Sequence, residues 1–330
     1  MDTFTHALSG ALAARALASR ENRLRIAASA LGGAFPDCDF GLRLVDTLTY
    51  LNWHQGPTHS LVLAPIWALP LAQILSWATK ASLSALYLPV TLGIVVHALQ
   101  DALTAYGPML FAPLSFERYA YPLVFVIDPY FGAIALAGLV GTLVWRARWP
   151  AVAALTVMGG YVVLAALLHQ RAVEFGAAYA RLNHLEGARS YALPQPFSPF
   201  NWKVIVMHGD RYDQALVRLN SGSPGDGTSP FSRTRASYRQ LDSLEWTRHS
   251  RYGETMQQRA LARTAWDEAA FKPFRRFAQF PALDHIADGC VWFVDLRFTL
   301  PEIKPSFRYG MCRAGDGWMR GRLHGDFLID

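Results

Sequence analysis

The stretch Leu83–Tyr106, LSALYLPVTLGIVVHALQDALTAY, carries just two side chains that can be charged near neutral pH, His97 and Asp101, both in its second half. A helix needs about 20 apolar residues to cross the hydrocarbon core of a bilayer, and this stretch is long enough. Three other segments resemble it. Ser60–Thr79 and Trp149–Leu168 carry no charge, and Tyr121–Trp145 carries only Asp128. Core helices of a large soluble protein could be as apolar. Four such runs crowded into one half of the chain instead predict four long transmembrane helices.

Composition agrees with this division. Of 330 residues, 52% are hydrophobic and 17% charged, against about a quarter charged in soluble proteins. Mean hydropathy is +0.14. These values exclude a disordered, collagenous or disulfide-scaffold chain. The apolar excess lies in residues 1–169, and charges return at ordinary density from Arg171. The expected architecture is an all-α membrane domain over 1–169, followed by a small α+β soluble domain over 170–330. Thr3–Leu17 and Ile26–Phe35 read as two short N-terminal membrane helices joined by the basic turn Arg20-Glu21-Asn22-Arg23-Leu24-Arg25. A secretory signal fits poorly, because Asp2 makes the first residues acidic and His6 interrupts the apolar run early. Pro36 should end the second helix.

In the second half, Pro194, Pro196 and Pro199 suggest a linker. Lys203–His208 and Tyr212–Leu219 read as paired strands around Gly209-Asp210-Arg211. Ser221–Ser232 reads as a loop and Glu254–Phe271 as a helix. Cys290–Leu300, Ser306–Cys312 and Gly317–Leu323 read as strands. There is no internal repeat and no glycine-rich phosphate loop.

Short basic loops orient membrane segments. Arg20, Arg23 and Arg25, then Lys80, then Arg146 and Arg148 fall in alternate loops on one face, which is therefore expected to be cytoplasmic. The other face has Arg43 and Arg118 beside Asp37, Asp39, Asp46 and Glu117. This places the C-terminal domain outside the cytoplasm. An oxidising compartment there would allow Cys290 and Cys312, on adjacent predicted strands, to pair. Two unpaired buried thiols are the alternative. Cys38 reads as a small packing residue.

Ionisable residues in apolar segments are costly, so each is a functional candidate. They are His6, Asp37, Asp39, His54, His59, His97, Asp101 and Asp128. His97 and Asp101 are four apart and share one helical face. His54-Gln55-Gly56-Pro57-Thr58-His59 is a turn with an imidazole at each end. The predicted topology delivers all of these groups to one leaflet, which scattered structural histidines would have no reason to do. Mixed imidazole and carboxylate ligation suits Zn, Mn or Fe better than Ca or Mg. The expected ligands are His6, Asp37, His54, His59, His97 and Asp101, enough for one ion or two. Asp39 or Asp128 is the expected general base. The other histidines, including His208 and His249, read as surface or core residues.

Met1-Asp2-Thr3-Phe4-Thr5-His6, Phe35-Pro36-Asp37-Cys38-Asp39, the His54–Ser60 turn and His97–Gly107 together resemble the YdjM-like family of LexA-regulated, membrane-bound, metal-dependent hydrolases. The resemblance covers roughly the first 130 residues. It implies an inner-membrane protein with a metal-dependent hydrolase site. One position departs: the family commonly has Arg where this chain has Gln55, and Gln cannot hold a phosphate bidentately. The pattern is also similar, by analogy, to zinc-dependent bacterial phospholipases C.

The leading expectation is a hydrolase at the extracytoplasmic leaflet, with membrane lipid or a lipid-linked ester as substrate. One alternative is a metal-binding or metal-transporting protein, although transport needs polar groups through both leaflets. Another is an anchor for the C-terminal domain, whose Phe271–Phe280 stretch with Arg275 and Arg276 could meet a partner or a membrane surface. The net charge of +6 and pI near 9.3 need no nucleic acid, because much of the membrane half's basic charge serves orientation.

Overall fold

A computed structural model describes residues 1–18, 22–221, 230–305, 307–315, 317–324 and 327–329. Arg20 and most of the Ser221–Ser232 stretch lie outside the described residues. The chain divides into two compact units, Met1–Leu167 and Leu168–Asp330.

In the first unit, α1 (Thr3–Leu17) begins where the Asp2 carboxylate accepts from Thr5 N at 2.9 Å and Thr5 Oγ1 at 2.7 Å. This is an N-cap of the usual chemistry. α2 (Arg23–Ala34) is capped by Asn22. At Pro36 the chain tightens into a 3-10 segment, Phe35–Leu44, where the sequence predicts a helix end. A short α3 (Thr47–Trp53) follows, then a 3-10 turn Pro57–His59. The long apolar helices are α4 (Ala64–Thr79), α5 (Leu83–Asp101), α6 (Pro129–Trp145) and α7 (Trp149–Leu182).

Glycines set how α1, α2 and α5 meet. A Cβ built on Gly93 would lie 2.1 Å from the Ser29 carbonyl oxygen, and one on Gly32 would lie 2.3 Å from that of Val90. Helices in lipid approach this closely through small residues. Ser29 Oγ also donates to Gly10 O at 2.8 Å, tying α2 to α1. Away from these contacts, Ala28, Ala64, Ala68, Ala72, Leu86, Val90 and Ile94 form an apolar core among α2, α4 and α5. Large apolar side chains face outward, among them Ile66, Trp77, Leu88, Leu143 and Val163, each more than 60% exposed. That surface suits lipid rather than water.

Four long spans are not what the helices form. By length and composition two described helices can cross a membrane, α5 and α7. A third arises if Thr47–His59 and Ala64–Thr79, bent by 82°, count as one broken span. α6 is a shorter apolar helix of 17 residues. The predicted ends are redirected by specific hydrogen bonds. Ser60 does not start α4, because its Oγ donates to Ala112 O at 2.6 Å. α5 stops at Asp101, short of Tyr106, where Leu103 N and Thr104 N donate three residues back to Gln100 O and Asp101 O. Residues 121–124 are not helical: Tyr121 N donates to Ala102 O at 2.7 Å and Leu123 N to Leu103 O at 2.9 Å. α6 then starts with Pro129 behind the Asp128 cap, where a missing N–H costs nothing. α7 runs past the predicted end at Leu168, as its polar residues from His169 onward stay helical.

The second unit holds two antiparallel sheets. β1 (Arg189–Pro194), β2 (Asn201–His208), β3 (Arg211–Arg218) and β4 (Thr247–Ser250) pair in sequence order. So do β5 (Pro281–Ala287), β6 (Cys290–Asp295), β7 (Arg308–Ala314), β8 (Gly317–His324) and β9 (Phe327–Ile329). Helices α8 (Pro230–Ala236), α9 (Met256–Asp267) and α10 (Lys272–Phe277) lie between β3 and β5 in the chain. β1 falls where prolines suggested a linker; it is an edge strand closed by Pro194, a position that needs no ladder donor. Leu168 and Ala172 of α7 pack on Ala192, Trp202, Val204, Ala215 and Val217. Lys203 is buried beneath them in sequence alternation. Its Nζ donates to Leu296 O at 2.8 Å and to Thr299, and burial lowers its pKa to about 7. Cys290 and Cys312 face each other across β6 and β7 and form a disulfide. Cys38 is exposed rather than packed.

A Gly93→Val substitution forces two backbones apart. Its cost should reach or exceed the upper end of the ~1–3 kcal/mol typical of overpacking. Gly159, whose Cβ would meet nothing within 4 Å, serves as control. In detergent, the Gly93→Val protein should melt well below both wild type and Gly159→Val. Equal melting would show that the close approach is dispensable.

Candidate metal centre

The chemistry-bearing residues of the first unit arrive on several different elements. His6 is on α1, and Asp37 and Asp39 are on the 3-10 segment after α2. His54 closes α3, His59 ends the short turn that follows, and His97 and Asp101 share the last turns of α5. All seven are buried, and His6, His59, His97 and Asp101 have no exposed surface.

Four of them could hold one metal ion: Asp37, His59, His97 and Asp101 each present a ligand atom, and these atoms lie within 4.8 Å of one another. His59 Nε2 is 3.2 Å from Asp101 Oδ2 and 3.9 Å from Asp37 Oδ1. His97 Nε2 is 3.3 Å and 3.8 Å from the same two oxygens. Both Nε2 atoms are buried yet make no hydrogen bond, since the angles do not suit one. A tetrahedral ion with bonds of about 2.0–2.2 Å keeps its ligand atoms roughly 3.4 Å apart. The spacing and the orphaned nitrogens therefore fit a shared cation better than mutual hydrogen bonding.

The opposite ring nitrogens are held by the protein. His97 Nδ1 lies 2.5 Å from Gly33 O, so it donates there and leaves Nε2 with its lone pair. His59 Nδ1 lies 3.0 Å from Thr58 Oγ1 and 3.5 Å from Asp39 Oδ2. Such outer partners fix the tautomer and direction of a ligating imidazole.

His6 is in this outer layer and not among the four. Its Nε2 is 3.0 Å from Asp101 Oδ1, its Nδ1 is 3.0 Å from Gln100 Oε1, and its ring stacks on His97 with centroids 3.6 Å apart. His54 is also outside, with Nδ1 2.6 Å from Asp39 Oδ1. Asp39 Oδ2 accepts from Gln55 N at 3.1 Å and Thr58 Oγ1 at 3.0 Å. Asp39 thus braces the whole His54–His59 turn. The turn is held from its other side by Arg118, which donates to the carbonyls of Asn52, His54 and Gly107.

Asp128 is placed elsewhere. Its Oδ1 accepts from Tyr130 N at 3.0 Å and Phe131 N at 2.9 Å, and its Oδ2 accepts from Tyr161 Oη at 2.6 Å. Its carboxylate caps α6 and ties that helix to α7, which differs from the general-base role its position suggested.

Three contacts escape a reading of the sequence. Gln55 Nε2 donates to Asp101 Oδ2 at 2.7 Å, and its own Oε1 is buried without a partner. The Met1 amino group donates to Asp101 Oδ1, and Thr3 Oγ1 to Asp37 Oδ2. The Gln55 backbone has φ +55°, a left-handed turn that aims its side chain inward. Only its departure from the arginine that the resemblance led one to expect marked the position.

Asp39→Asn keeps the shape but removes the anionic acceptor of the turn. The expected loss is about 1–3 kcal/mol of stability and roughly 10–100-fold in metal affinity, as for other outer-layer partners. Competition with a chelating dye measures the affinity. Asp128→Asn should lower the melting temperature and leave metal affinity alone; an unchanged affinity in Asp39→Asn would remove Asp39 from the metal centre.

The family model described as YdjM inner membrane protein matches residues 1–172. The uncharacterized protein YfhP of Bacillus subtilis (strain 168) is 30% identical over 121 residues, covering 36% of this chain and 36% of that protein. No solved structure matches. The family match takes in all of the first unit, with every residue of the His/Asp cluster, and more than half of the chain; the protein belongs to the YdjM inner membrane protein family.

Proposed function

We propose that the protein is a membrane-bound, metal-dependent hydrolase that cleaves an ester bond in a lipid or lipid-linked substrate at the extracytoplasmic leaflet. The observation that carries this reading is the pair of buried, unbonded Nε2 atoms of His59 and His97 facing Asp37 and Asp101. Nitrogen and oxygen donors together suit zinc, manganese or iron. A divalent ion in such a site supplies Lewis acidity and lowers the pKa of water.

The chain's own groups supply the rest. His6 and Gln55 hold the two oxygens of Asp101 in place. The Asp39–His54 pair is built to take a proton: Asp39 Oδ1 fixes His54 Nδ1 as the donor, which leaves Nε2 free to accept. The unpartnered Gln55 Oε1 is a ready acceptor for a substrate hydroxyl or amide. The apolar core among α2, α4 and α5 supports hydrolysis over transport, because a conduction path would need polar groups there.

Metal analysis of detergent-purified protein tests the site. Wild type should hold about one equivalent of metal, and His97→Ala and Asp37→Asn should hold almost none. Chelation should abolish ester hydrolysis and re-addition of metal should restore it. Full metal content in both variants would end the reading of the site. Metal without hydrolysis of any phospholipid or lipid-linked ester would end that of the activity.

The extracytoplasmic placement of residues 168–330 is supported by the cross-strand disulfide and by Arg23, Arg25, Lys80, Arg146 and Arg148 at the opposite helix ends. A cysteine introduced at the exposed Glu302 should react with an impermeant maleimide in intact cells. One introduced at Lys80 should react only after lysis, and the reverse pattern would invert the topology.

A further inference from the structure

The second unit carries a charged pocket that the metal centre does not use. The β2–β3 turn, with Gly209 at φ +60°, presents His208, Asp210 and Arg211. Tyr252 follows β4, and α9 contributes Arg259 and Arg263, one turn apart on the same face. These residues line a cavity of about 200 Å³.

The charges there do not balance. Asp210 is the one carboxylate of the lining, and it is already engaged: Oδ1 is 3.1 Å from Arg251 and Oδ2 is 3.8 Å from Arg263. Arg259 donates through Nε to Gly253 O at 3.2 Å, a neutral partner. Among the described residues Arg211 has no ion pair. Arg251 and Arg263 share Asp210 and each lies near the Tyr252 ring, at 5.8 and 5.1 Å from its centroid. α9 itself is fixed by a Thr255–Gln258 capping box, so its arginines project from a firm base. Guanidinium groups brought together without matching carboxylates repel one another, and a bound anion removes that repulsion.

We propose that this pocket binds a phosphate group. Arg211, Arg259 and Arg263 approach from the turn and from the helix, and would share the oxygens of a tetrahedral dianion. Planar guanidinium forks suit phosphate oxygens in pairs. A monocarboxylate offers too few oxygens and too little charge for three arginines. His208 adds a further donor at the rim.

The test uses the full chain in nanodiscs of phosphatidylcholine, with excess chelator so that no phosphate is held at the metal centre. Inorganic phosphate and dihexanoyl phosphatidic acid are titrated calorimetrically. Wild type should bind one or both, and Arg259→Gln with Arg263→Gln should weaken binding tenfold or more. Lys272→Gln, which removes an exposed charge outside the pocket, should leave it unchanged. Comparable affinity for the two probes identifies a free phosphate ester as ligand, while a large preference for the lipid identifies a headgroup. Binding that is absent in wild type, or equal in the double arginine variant, overturns the proposal. Arg263 is exposed and Arg259 half-buried, so glutamine should be tolerated at both, and an unchanged melting temperature confirms folding.

Discussion

Gly93 brings α5 so close to α2 that a methyl group there would lie 2.1 Å from a carbonyl oxygen, and the buried His/Asp cluster depends on that approach. His97 is one turn further along α5, and its Nδ1 reaches Gly33 O of α2. His6 of α1 then stacks on His97. With larger residues at this crossing, the three helices would stand apart and the imidazoles would not meet. Backbone contact between helices is therefore what converts three ordinary apolar segments into one polar centre. The later turns add Asp37, Asp39, His54 and His59 from irregular backbone, which membrane proteins allow where it is buried within protein.

Much of this was legible in the sequence because charge is conspicuous in apolar surroundings. His97 and Asp101 stand out in Leu83–Tyr106 for that reason, and the His54–His59 turn stands out by its paired imidazoles. Gln55, Gln100 and Thr3 did not, since neutral polar residues break no rule of composition and leave no periodic trace. Layering was also hidden. Spacing alone cannot tell His6, which braces Asp101, from His59, which faces the shared point.

Helix ends were the least legible part of the fold. Residues 60–63, 102–106 and 121–124 are apolar enough to continue a span, and each segment instead makes hydrogen bonds that end the helix there. Local propensity yields there to tertiary contacts, as it commonly does at functional positions. The opposite happened in α7, where polar residues after Leu168 continue a helix that hydropathy would have ended. In the second unit, the strands and the two facing cysteines were readable, whereas β1 was masked by Pro194 at its end and by the prolines that follow.

Gln55 has one more consequence, which concerns net charge. Two carboxylates and two neutral imidazoles would match the charge of a divalent ion, and the Met1 amino group already lies against Asp101. Glutamine beside Asp101 adds no further positive charge, where arginine would. A neutral assembly can reside at leaflet depth without the desolvation cost that an uncompensated charge would carry. A cation held there would couple occupancy to the fold of the helical unit.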